Sequence, residues 1–310
     1  MKRISEFITR LLVVWVVLAG IAGYLYPPVL TCMKGHIEWL FAFTMLGIGA
    51  VLTPKDFEPV AKKPHLVLMG TIAQFAIMPA LGFVIAKLLR LPPDLALGVI
   101  LVGAVPGAMA SNVISYLARA DVAYSIALTS MSTLLAPLLT PSLTYLFGRT
   151  YVDIHFWPMF LSIIKIVIVP LLLGLSLRRF FPDIIERISF VFPLMSTIAI
   201  ALICGLVVAL NRDYLAQVSA LIFVAVVLHN ALGLLLGYGA GKAYRFDVKR
   251  CLTLAFEVGM QNAGLGAVLA LKHFSARAAL PNALFATWCI ITAAVLAELW
   301  GRRVRADETG

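Results

Sequence analysis

The chain has 310 residues, of which 62% are hydrophobic and only 13% are charged, and its formal net charge is +10. Because a soluble domain has about 25% charged residues, this composition excludes a soluble globular protein and indicates one embedded in a lipid bilayer. The positive charge does not indicate a nucleic-acid partner, since the lysines and arginines are scattered over short connections and not gathered into a groove.

Apolar stretches long enough to cross a bilayer as helices recur along the whole chain. We therefore predict an all-α integral membrane protein with ten transmembrane helices and no second, soluble domain. The stretches are residues 8–26, 37–53, 66–89, 95–118, 122–147, 156–177, 188–210, 216–240, 249–271 and 279–300.

The basic residues predict an orientation for these helices. With ten spans, the two tails and alternate loops share one side, and 17 lysines and arginines fall there against seven on the other side. Cytoplasmic loops carry the excess of basic residues, so both termini are predicted to be cytoplasmic. The four cysteines have no paired spacing, and we expect apolar packing residues and not disulfides or metal ligands. They are Cys32, Cys204, Cys251 and Cys289.

Two short polar landmarks indicate an internal repeat. The sequence Pro-Ala-Leu-Gly at 79–82 returns as Asn-Ala-Leu-Gly at 230–233, and Ser111-Asn112 returns as Gln261-Asn262, at offsets of 151 and 150 residues. Because an odd number of spans separates the copies, the second half must be inverted relative to the first, as in many secondary transporters. The predicted repeats are residues 1–150 and 151–310.

The fourth and ninth stretches both contain residues that can open a helix. Pro106 follows Gly103 in the fourth, and Gly259 and Gly264 flank Gln261-Asn262 in the ninth. Opened turns expose carbonyl oxygens to a cation and leave helix N-termini facing an anion. A simple packing kink is the alternative, since glycine and proline are frequent in membrane helices.

Glu257 lies inside the ninth stretch, where an isolated carboxylate costs at least roughly 2.5–3.5 kcal/mol. Such an acid needs a partner and marks an ion or substrate path, unless it is a protonated buried carboxyl. Neutral oxygen donors that suit a hard cation such as sodium lie in neighbouring spans. Hydrogen bonds within or between helices are the alternative role for these donors. The candidate donors are Gln74, Ser111, Asn112, Ser125, Thr129 and Gln261.

Two further polar residues lie within predicted spans. Lys165, in the sixth, either extends along its stem toward the nearer interface or lines a cavity and attracts an anionic substrate. His229, in the eighth, is expected to form a hydrogen bond within the core, with a proton-binding role as the alternative.

The chain resembles the bile acid:sodium symporters, particularly the bacterial homologues of the apical sodium-dependent bile acid transporter. The resemblance covers essentially all ten spans. It rests on Ala-Ser-Asn-Val-Ile-Ser-Tyr-Leu-Ala at 110–118, Asp-Val-Ala-Tyr-Ser-Ile-Ala-Leu-Thr at 121–129 and Glu-Val-Gly-Met-Gln-Asn at 257–262, with weaker support from 228–230 and 286–288. It implies a panel of spans 1, 2, 6 and 7 against a core of spans 3–5 and 8–10, with discontinuous helices 4 and 9 crossing in the core.

The resemblance also implies two sodium sites that share Glu257. The first would use Ser111, Asn112, Ser125, Thr129 and Glu257. The second would use Gln74, Glu257, Gln261 and the backbone carbonyls of Val258 and Met260.

The substrate end departs from the family pattern. Met109 stands where homologues often have threonine, and Cys289 and Ile290 stand where they often have histidine and asparagine, while Asn262 is retained. A small organic anion, such as a pantoate-like acid or another hydroxy or keto acid, is therefore expected in preference to a bile acid. The candidate substrate residues are Asn262, Met109, Cys289, Ile290 and Lys165.

The predicted function is sodium-coupled import of an organic anion across a bacterial inner membrane by alternating access, with two transported sodium ions. The expected partners are that anion and the bilayer, with no nucleic acid and no obligate protein partner. A proton-coupled carrier is the nearest alternative, and a channel or an intramembrane enzyme is more remote. The sequence contains no His-Glu-x-x-His pair and no Gly-x-Ser-x-Gly elbow, so an enzyme is not expected.

Overall fold

The computed structural model describes residues 11–53 and 62–309, and its described secondary structure is helical except for one isolated β-bridge. The prediction of an all-α protein is confirmed. The first half contains α1 Leu12–Leu25, α2 Pro28–Thr31, a 3-10 turn Lys34–His36, α3 Ile37–Val51, α4 Pro64–Leu88, α5 Pro93–Ala104, α6 Ala110–Leu117 and α7 Val122–Gly148. The second half contains α8 Phe156–Ile163, a π-helical segment Ile164–Ile168, α9 Val169–Phe180, α10 Pro182–Ile188, α11 Val191–Leu210, α12 Arg212–Ala243, α13 Val248–Gly259, α14 Ala263–His273 and α15 Ala276–Thr309.

Six helical stretches in the described part of the chain are individually long and apolar enough to span a membrane. A seventh is possible if α1 and the stretch Pro28–Val51, which are bent by 110° relative to each other, form one span. The chain is therefore a multi-pass membrane protein. A helix occupies each of the ten predicted stretches, although residues 8–10 of the first stretch lie outside the described residues. The basic residues Lys2, Arg3, Arg10 and Lys55, on which the orientation partly depends, also lie outside them.

The fourth and ninth predicted stretches are both interrupted. The first half of the fourth ends at Ala104 and the second half begins at Ala110, while the ninth ends at Gly259 and resumes at Ala263. Pro106 lies in the first gap, where its missing N–H removes one helical hydrogen bond.

The two gaps pair with each other in an antiparallel arrangement through backbone hydrogen bonds. Ala108 donates its N–H to the Met260 carbonyl at 3.0 Å, and Asn262 donates to the Pro106 carbonyl at 2.8 Å. The bridge itself joins Gly107 to Gln261. Because unpaired backbone groups are costly within a bilayer, this pairing stabilises both breaks and holds them against each other.

The helices pack in two groups that share an interface. In one group α11 packs against α1 and α3, and α3 also packs against α9. In the other, α4 packs against α5, α7 and α12, while α13 packs on α12 and α15 packs on α5 and α14. Contacts of α14 with α3, α8 and α11, and of α8 with α7, join the two groups. The half-helices α5, α13 and α14 are almost wholly buried.

Three arginines end helices in the left-handed conformation that usually favours glycine. They are Arg90, Arg119 and Arg245, with φ of 49°, 54° and 58°. After each, the next residue donates its N–H to the carbonyl five positions earlier, at 2.8–3.0 Å. This is the Schellman ending of a helix, and it could not be predicted because none of the three positions is glycine or asparagine.

The prediction for His229 is confirmed, and that for the cysteines is confirmed in part. The His229 ring nitrogen Nε2 lies 2.9 Å from the Met78 carbonyl in the buried interior, so the histidine forms the expected core hydrogen bond. Cys204 and Cys289 are buried in the apolar core as expected, and Cys251 is buried with its Sγ 3.4 Å from the Phe246 carbonyl. Cys32 is exposed, so the expectation of apolar packing is wrong for this residue.

Candidate functional site

Glu257 lies in the last turn of α13 before the break and is 0% exposed. Three hydroxyl groups donate to its carboxylate. Ser111 and Ser125 donate to Oε1, the latter at 2.5 Å, and Thr129 lies 3.0 Å from both carboxylate oxygens. We call Ser111, Ser125 and Thr129 the hydroxyl cluster.

The broken helix and α7 bring the hydroxyl cluster together. Ser111 lies in the first turn of α6, directly after the fourth-helix break, and Ser125 and Thr129 lie one turn apart on α7. Asp121 begins α7 by accepting a hydrogen bond from the Tyr124 N–H at 3.0 Å, which is the ordinary role of an aspartate at a helix N-terminus.

Asn112 completes this set through its amide oxygen. Its Oδ1 accepts from Ser125 Oγ at 2.8 Å and from Thr129 Oγ1 at 3.3 Å. Its Nδ2 points the other way, toward Met109 Sδ at 3.9 Å. The five residues predicted for a first sodium site therefore form one connected set of polar contacts.

The set has more acceptor oxygens than hydrogens to satisfy them. Each hydroxyl has one proton, yet Ser111 also lies 2.7 Å from the Ala108 carbonyl and Thr129 lies 3.0 Å from the Ser125 carbonyl. A hydrogen bond to a carbonyl of its own helix was the alternative role for Thr129. That bond is present, but Thr129 also contacts Glu257. A cluster of oxygens with too few protons has the donor chemistry that a hard cation requires.

Among the described residues, no cationic side chain forms a salt bridge with Glu257. The salt bridges among the described residues involve other acids: Glu38, Asp121, Glu186 and Asp247. A buried ionised carboxylate without a counter-charge is strongly disfavoured. The arrangement therefore requires either a bound cation or a proton on the carboxyl.

The residues predicted for the second sodium site lie beside the first. Gln74 Nε2 and Gln261 Oε1 are 3.5 Å apart, and Gln261 Nε2 donates to the Val258 carbonyl at 2.7 Å. The Gln74 Oε1 atom is buried and has no hydrogen-bond partner in the described part of the chain. The Met260 carbonyl, in contrast, accepts from Ala108 in the pairing of the two breaks.

Gly107 lies between the two sets of oxygens. A Cβ atom at this position would lie 2.8 Å from Glu257 Oε2 and 3.7 Å from Gln74 Oε1. The absence of a side chain leaves a space bordered by one carboxylate oxygen and one unpartnered amide oxygen. These are the types of oxygen that were predicted to bind the second sodium ion.

The residues predicted to contact the substrate are not all brought together. Met109 lines a cavity of about 210 Å³ between α7 and α9, and none of the other four lines it. Asn262 is half-buried and begins α14, its Oδ1 accepting from the Leu265 N–H at 3.2 Å. Cys289 is buried in α15, where its Sγ lies 3.7 Å from the Ala286 carbonyl, and Ile290 is partly buried.

Lys165 is exposed and lies in the π-helical segment between α8 and α9. Pro170 follows this segment and cannot donate a backbone hydrogen bond, which favours a widened turn before it.

Sequence reasoning missed the remaining residues around this cavity, which belong to α7, α9 and the end of α3. Ser130 directly follows the predicted ion ligand Thr129, and Thr133 lies one helical turn after it, which was an available signal. The others are leucines, for which the sequence offers no signal. They are Leu52, Ser130, Thr133, Leu134, Leu171, Leu172 and Leu175.

Known proteins similar to this chain are sodium-dependent transporters or cotransporters by name. The family model described as the Sodium Bile acid symporter family matches residues 39–218. The YocS protein of Bacillus subtilis strain 168, named an uncharacterized sodium-dependent transporter, is 39% identical over 309 residues, or 100% of this chain and 96% of its own length. The probable sodium/metabolite cotransporter BASS1 of Arabidopsis thaliana chloroplasts is 32% identical over 96% of this chain and 75% of its own. BASS2 of Oryza sativa subsp. japonica, with the same description, is 33% identical over 97% of this chain and 73% of its own.

Proposed function

We propose, from the premise that this chain belongs to the sodium bile acid symporter family, that it imports a small organic anion together with sodium. The family and its relatives are sodium-dependent transporters by name. The observation that carries the proposal is Glu257, which is fully buried, forms no salt bridge within residues 11–53 and 62–309, and is surrounded by hydroxyl oxygens with the Asn112 amide beside them.

Two sodium ions share the carboxylate of Glu257 in this proposal. The first is held by Oε1 with the hydroxyl cluster and Asn112. The second lies at the Gly107 side, where Oε2 is close to the unpartnered Gln74 Oε1. Gln261 and the carbonyls of Val258 and Met260 complete its ligands. When sodium binds these amide and carbonyl oxygens, its bonds to them replace the hydrogen bonds that Gln261 Oε1 and the Val258 carbonyl accept in the structure.

The helices form ten spans in two inverted repeats, with a panel of α1, α3, α8–α9 and α11 against a core made of the rest. The matched hairpins α4–α5 and α12–α13 support this arrangement. Arg90 ends α4 and Arg245 ends α12, both left-handed and 155 residues apart. In each hairpin the second helix leads into one of the two breaks. Both termini lie in the cytoplasm of a bacterium, with the chain in its inner membrane.

The transported anion is small and partly apolar, such as a pantoate-like acid. The cavity beside Met109 has about 210 Å³ and is lined mainly by leucines, whereas pockets for drug-sized ligands have about 300–1,000 Å³. The N-terminus of α6 borders Met109 and carries the positive end of a helix dipole. A carboxylate docks there, near Asn262, while its apolar part lies among the leucines, and Lys165, Cys289 and Ile290 shape the approach.

Sodium binding supplies the driving force for this transport. The ions neutralise Glu257 and hold the paired breaks in the geometry that presents the helix N-termini to the anion. The membrane potential contributes roughly 2.3 kcal/mol per charge per 100 mV, so two sodium ions with one monoanion are driven inward. Alternating exposure of this region to the two sides of the membrane completes the cycle.

Counterflow of a radiolabelled carboxylate in proteoliposomes tests the proposal. Pantoate and taurocholate serve as the small and the large probe, and we expect sodium-stimulated uptake of the small one. Glu257→Gln and Gln261→Ala are expected to lose this stimulation, because each removes a sodium ligand. Sodium stimulation that persists undiminished in both variants would contradict the proposal.

A proton-coupled carrier is the second candidate, since protonation would also stabilise a buried Glu257. Replacing sodium by choline at fixed pH separates the two mechanisms. Uptake that continues in choline and follows an imposed pH gradient would favour proton coupling and overturn sodium coupling.

A further inference from the structure

The last two residues of α14 and the first residue of α15 are held by three polar contacts from helices of the other packing group. Lys272 Nζ lies 2.5 Å from Glu38 Oε2 on α3, and His273 Nε2 lies 2.9 Å from Ser162 Oγ on α8. Asn211, at the end of α11, donates from Nδ2 to the Ala276 carbonyl at 2.8 Å. We call these three contacts to residues 272–276 the clasp.

The clasp acts on a helix that also begins at the proposed ion site. α14 runs from Ala263, directly after Gln261 and Asn262, to His273, and it is buried over most of its length. Eleven residues of α-helix extend about 16 Å, and a buried helix moves as a unit because packed interiors yield little. The position of its clasped end therefore constrains the position of Gln261.

The opposite end of the same interface contains the cavity. Glu38 lies in the first turn of α3, whereas Leu52, just beyond the last residue of this helix, lines the cavity with residues of α7 and α9. The two helix groups are thus joined by polar contacts at one end and separated by a cavity at the other. By the predicted orientation, the clasped end faces outward.

We propose that Glu38, Ser162 and Asn211 are positioning residues that hold the outward end closed and must release α14 before sodium reaches Glu257 from that side. This inference rests on the proposed function. The contacts are suited to release, because the Glu38–Lys272 pair is partly exposed, with side-chain exposures of 37% and 30%. Such exposed pairs shift an equilibrium by up to about fivefold.

A cysteine at position 200 reports on the opening without requiring transport. Ile200 on α11 is partly buried and faces α14, since a Cβ atom on Gly264 would lie 3.9 Å from Ile200 Cγ1. In a Cys32→Ser background, which removes the exposed native thiol, Ile200→Cys is labelled with a membrane-impermeant maleimide in proteoliposomes. The same background without Ile200→Cys corrects for the three buried cysteines.

Glu38→Gln is expected to raise the labelling rate by about two- to fivefold. Glu38→Lys and Lys272→Glu are each expected to raise it more, and the double variant is expected to restore the parent rate. Glu186→Gln is the matched control, since it breaks the Arg178–Glu186 pair, which joins α9 to the adjacent α10 and does not cross the interface. This control is expected to leave the rate unchanged.

Unchanged labelling in Glu38→Gln, an equal rise in Glu186→Gln or no restoration by the exchanged pair would each overturn the clasp. Failure of the proposed function has a different signature. In that case the parent protein shows no sodium-driven uptake, and adding sodium does not change the labelling rate of Ile200→Cys. Both results are independent of the labelling rates in the clasp variants.

Discussion

At the residue scale, the site depends on how hydroxyl groups are shared around one carboxylate. Thr129 Oγ1 contacts both oxygens of Glu257 and also Asn112 Oδ1. A single hydroxyl proton cannot serve all these acceptors. A bound cation removes this conflict, because the hydroxyl oxygen then becomes a ligand and its proton is free for one remaining acceptor.

Thr129→Val tests this role with a side chain of the same shape. Hydrogen bonds and similar contacts to charged groups contribute about 1.5–3 kcal/mol, so we expect the sodium concentration for half-maximal uptake to rise by roughly 10- to 100-fold. Thr144→Val is the control, because Thr144 is equally buried on α7 but donates to the Thr140 carbonyl of its own helix. Equal effects of the two substitutions on sodium dependence would contradict the assignment.

The sequence was sufficient to nominate the oxygen donors but not their hydrogen bonds. Spacing placed Ser125 and Thr129 on one helix face, and the cost of burying Glu257 required partners for it. Neither the spacing nor the burial cost predicts that Gln74 Oε1 lacks a hydrogen-bond partner among the described residues. They also do not predict that the Met260 carbonyl accepts a hydrogen bond from Ala108. Those facts depend on how the two breaks pair in space, which no local pattern encodes.

At the element scale, the breaks were predictable and their pairing was not. Pro106 and the glycines around Gln261 indicated where the helices would open. That Ala108 and Asn262 donate across the gap depends on the relative positions of α5 and α13. The 110° bend between α1 and Pro28–Val51 was missed for a similar reason, since the two apolar stretches gave no information about their mutual angle.

The left-handed ends of α4 and α12 allow a prediction about stability. A left-handed residue other than glycine costs roughly 1–2 kcal/mol, and the side chains of Arg90 and Arg245 are exposed. Arg245→Gly is therefore expected to increase the free energy of unfolding by up to about 1 kcal/mol. The full gain is not reached, because glycine also raises the conformational entropy of the unfolded chain. Thermal unfolding in detergent measures the change as a higher Tm.

Arg179→Gly provides the control of opposite sign. Arg179 is an exposed residue in the last turn of α9, with ordinary helical geometry, and glycine inside a helix costs about 1 kcal/mol. A lower Tm for both variants would show that the left-handed geometry at position 245 carries no strain.

At the scale of the whole molecule, the position of the charges determines which end of the interface faces the cytoplasm. The basic residues near Arg178 and Arg250 lie at the side predicted to be cytoplasmic, whereas Glu38 and Lys272 form their pair at the opposite side. In the predicted orientation, the clasp closes the outer side and the cavity beside Met109 lies toward the cytoplasm. The direction assigned to sodium entry then follows from the charge distribution alone.

The single exposed cysteine of the described chain makes this orientation measurable. Cys32 lies between α2 and the 3-10 turn, on the predicted outer side, while the other three cysteines are buried. A membrane-impermeant maleimide added to intact cells is therefore expected to label the native protein, and Cys32→Ser is expected to abolish the label. Glu186→Cys, made in the Cys32→Ser background, places a thiol on the predicted cytoplasmic side, where Glu186 is exposed. This variant is expected to be labelled only after the membrane is permeabilised. The reverse pattern would invert the protein in the membrane, and the clasp would then close the cytoplasmic side and control release of sodium in place of its entry.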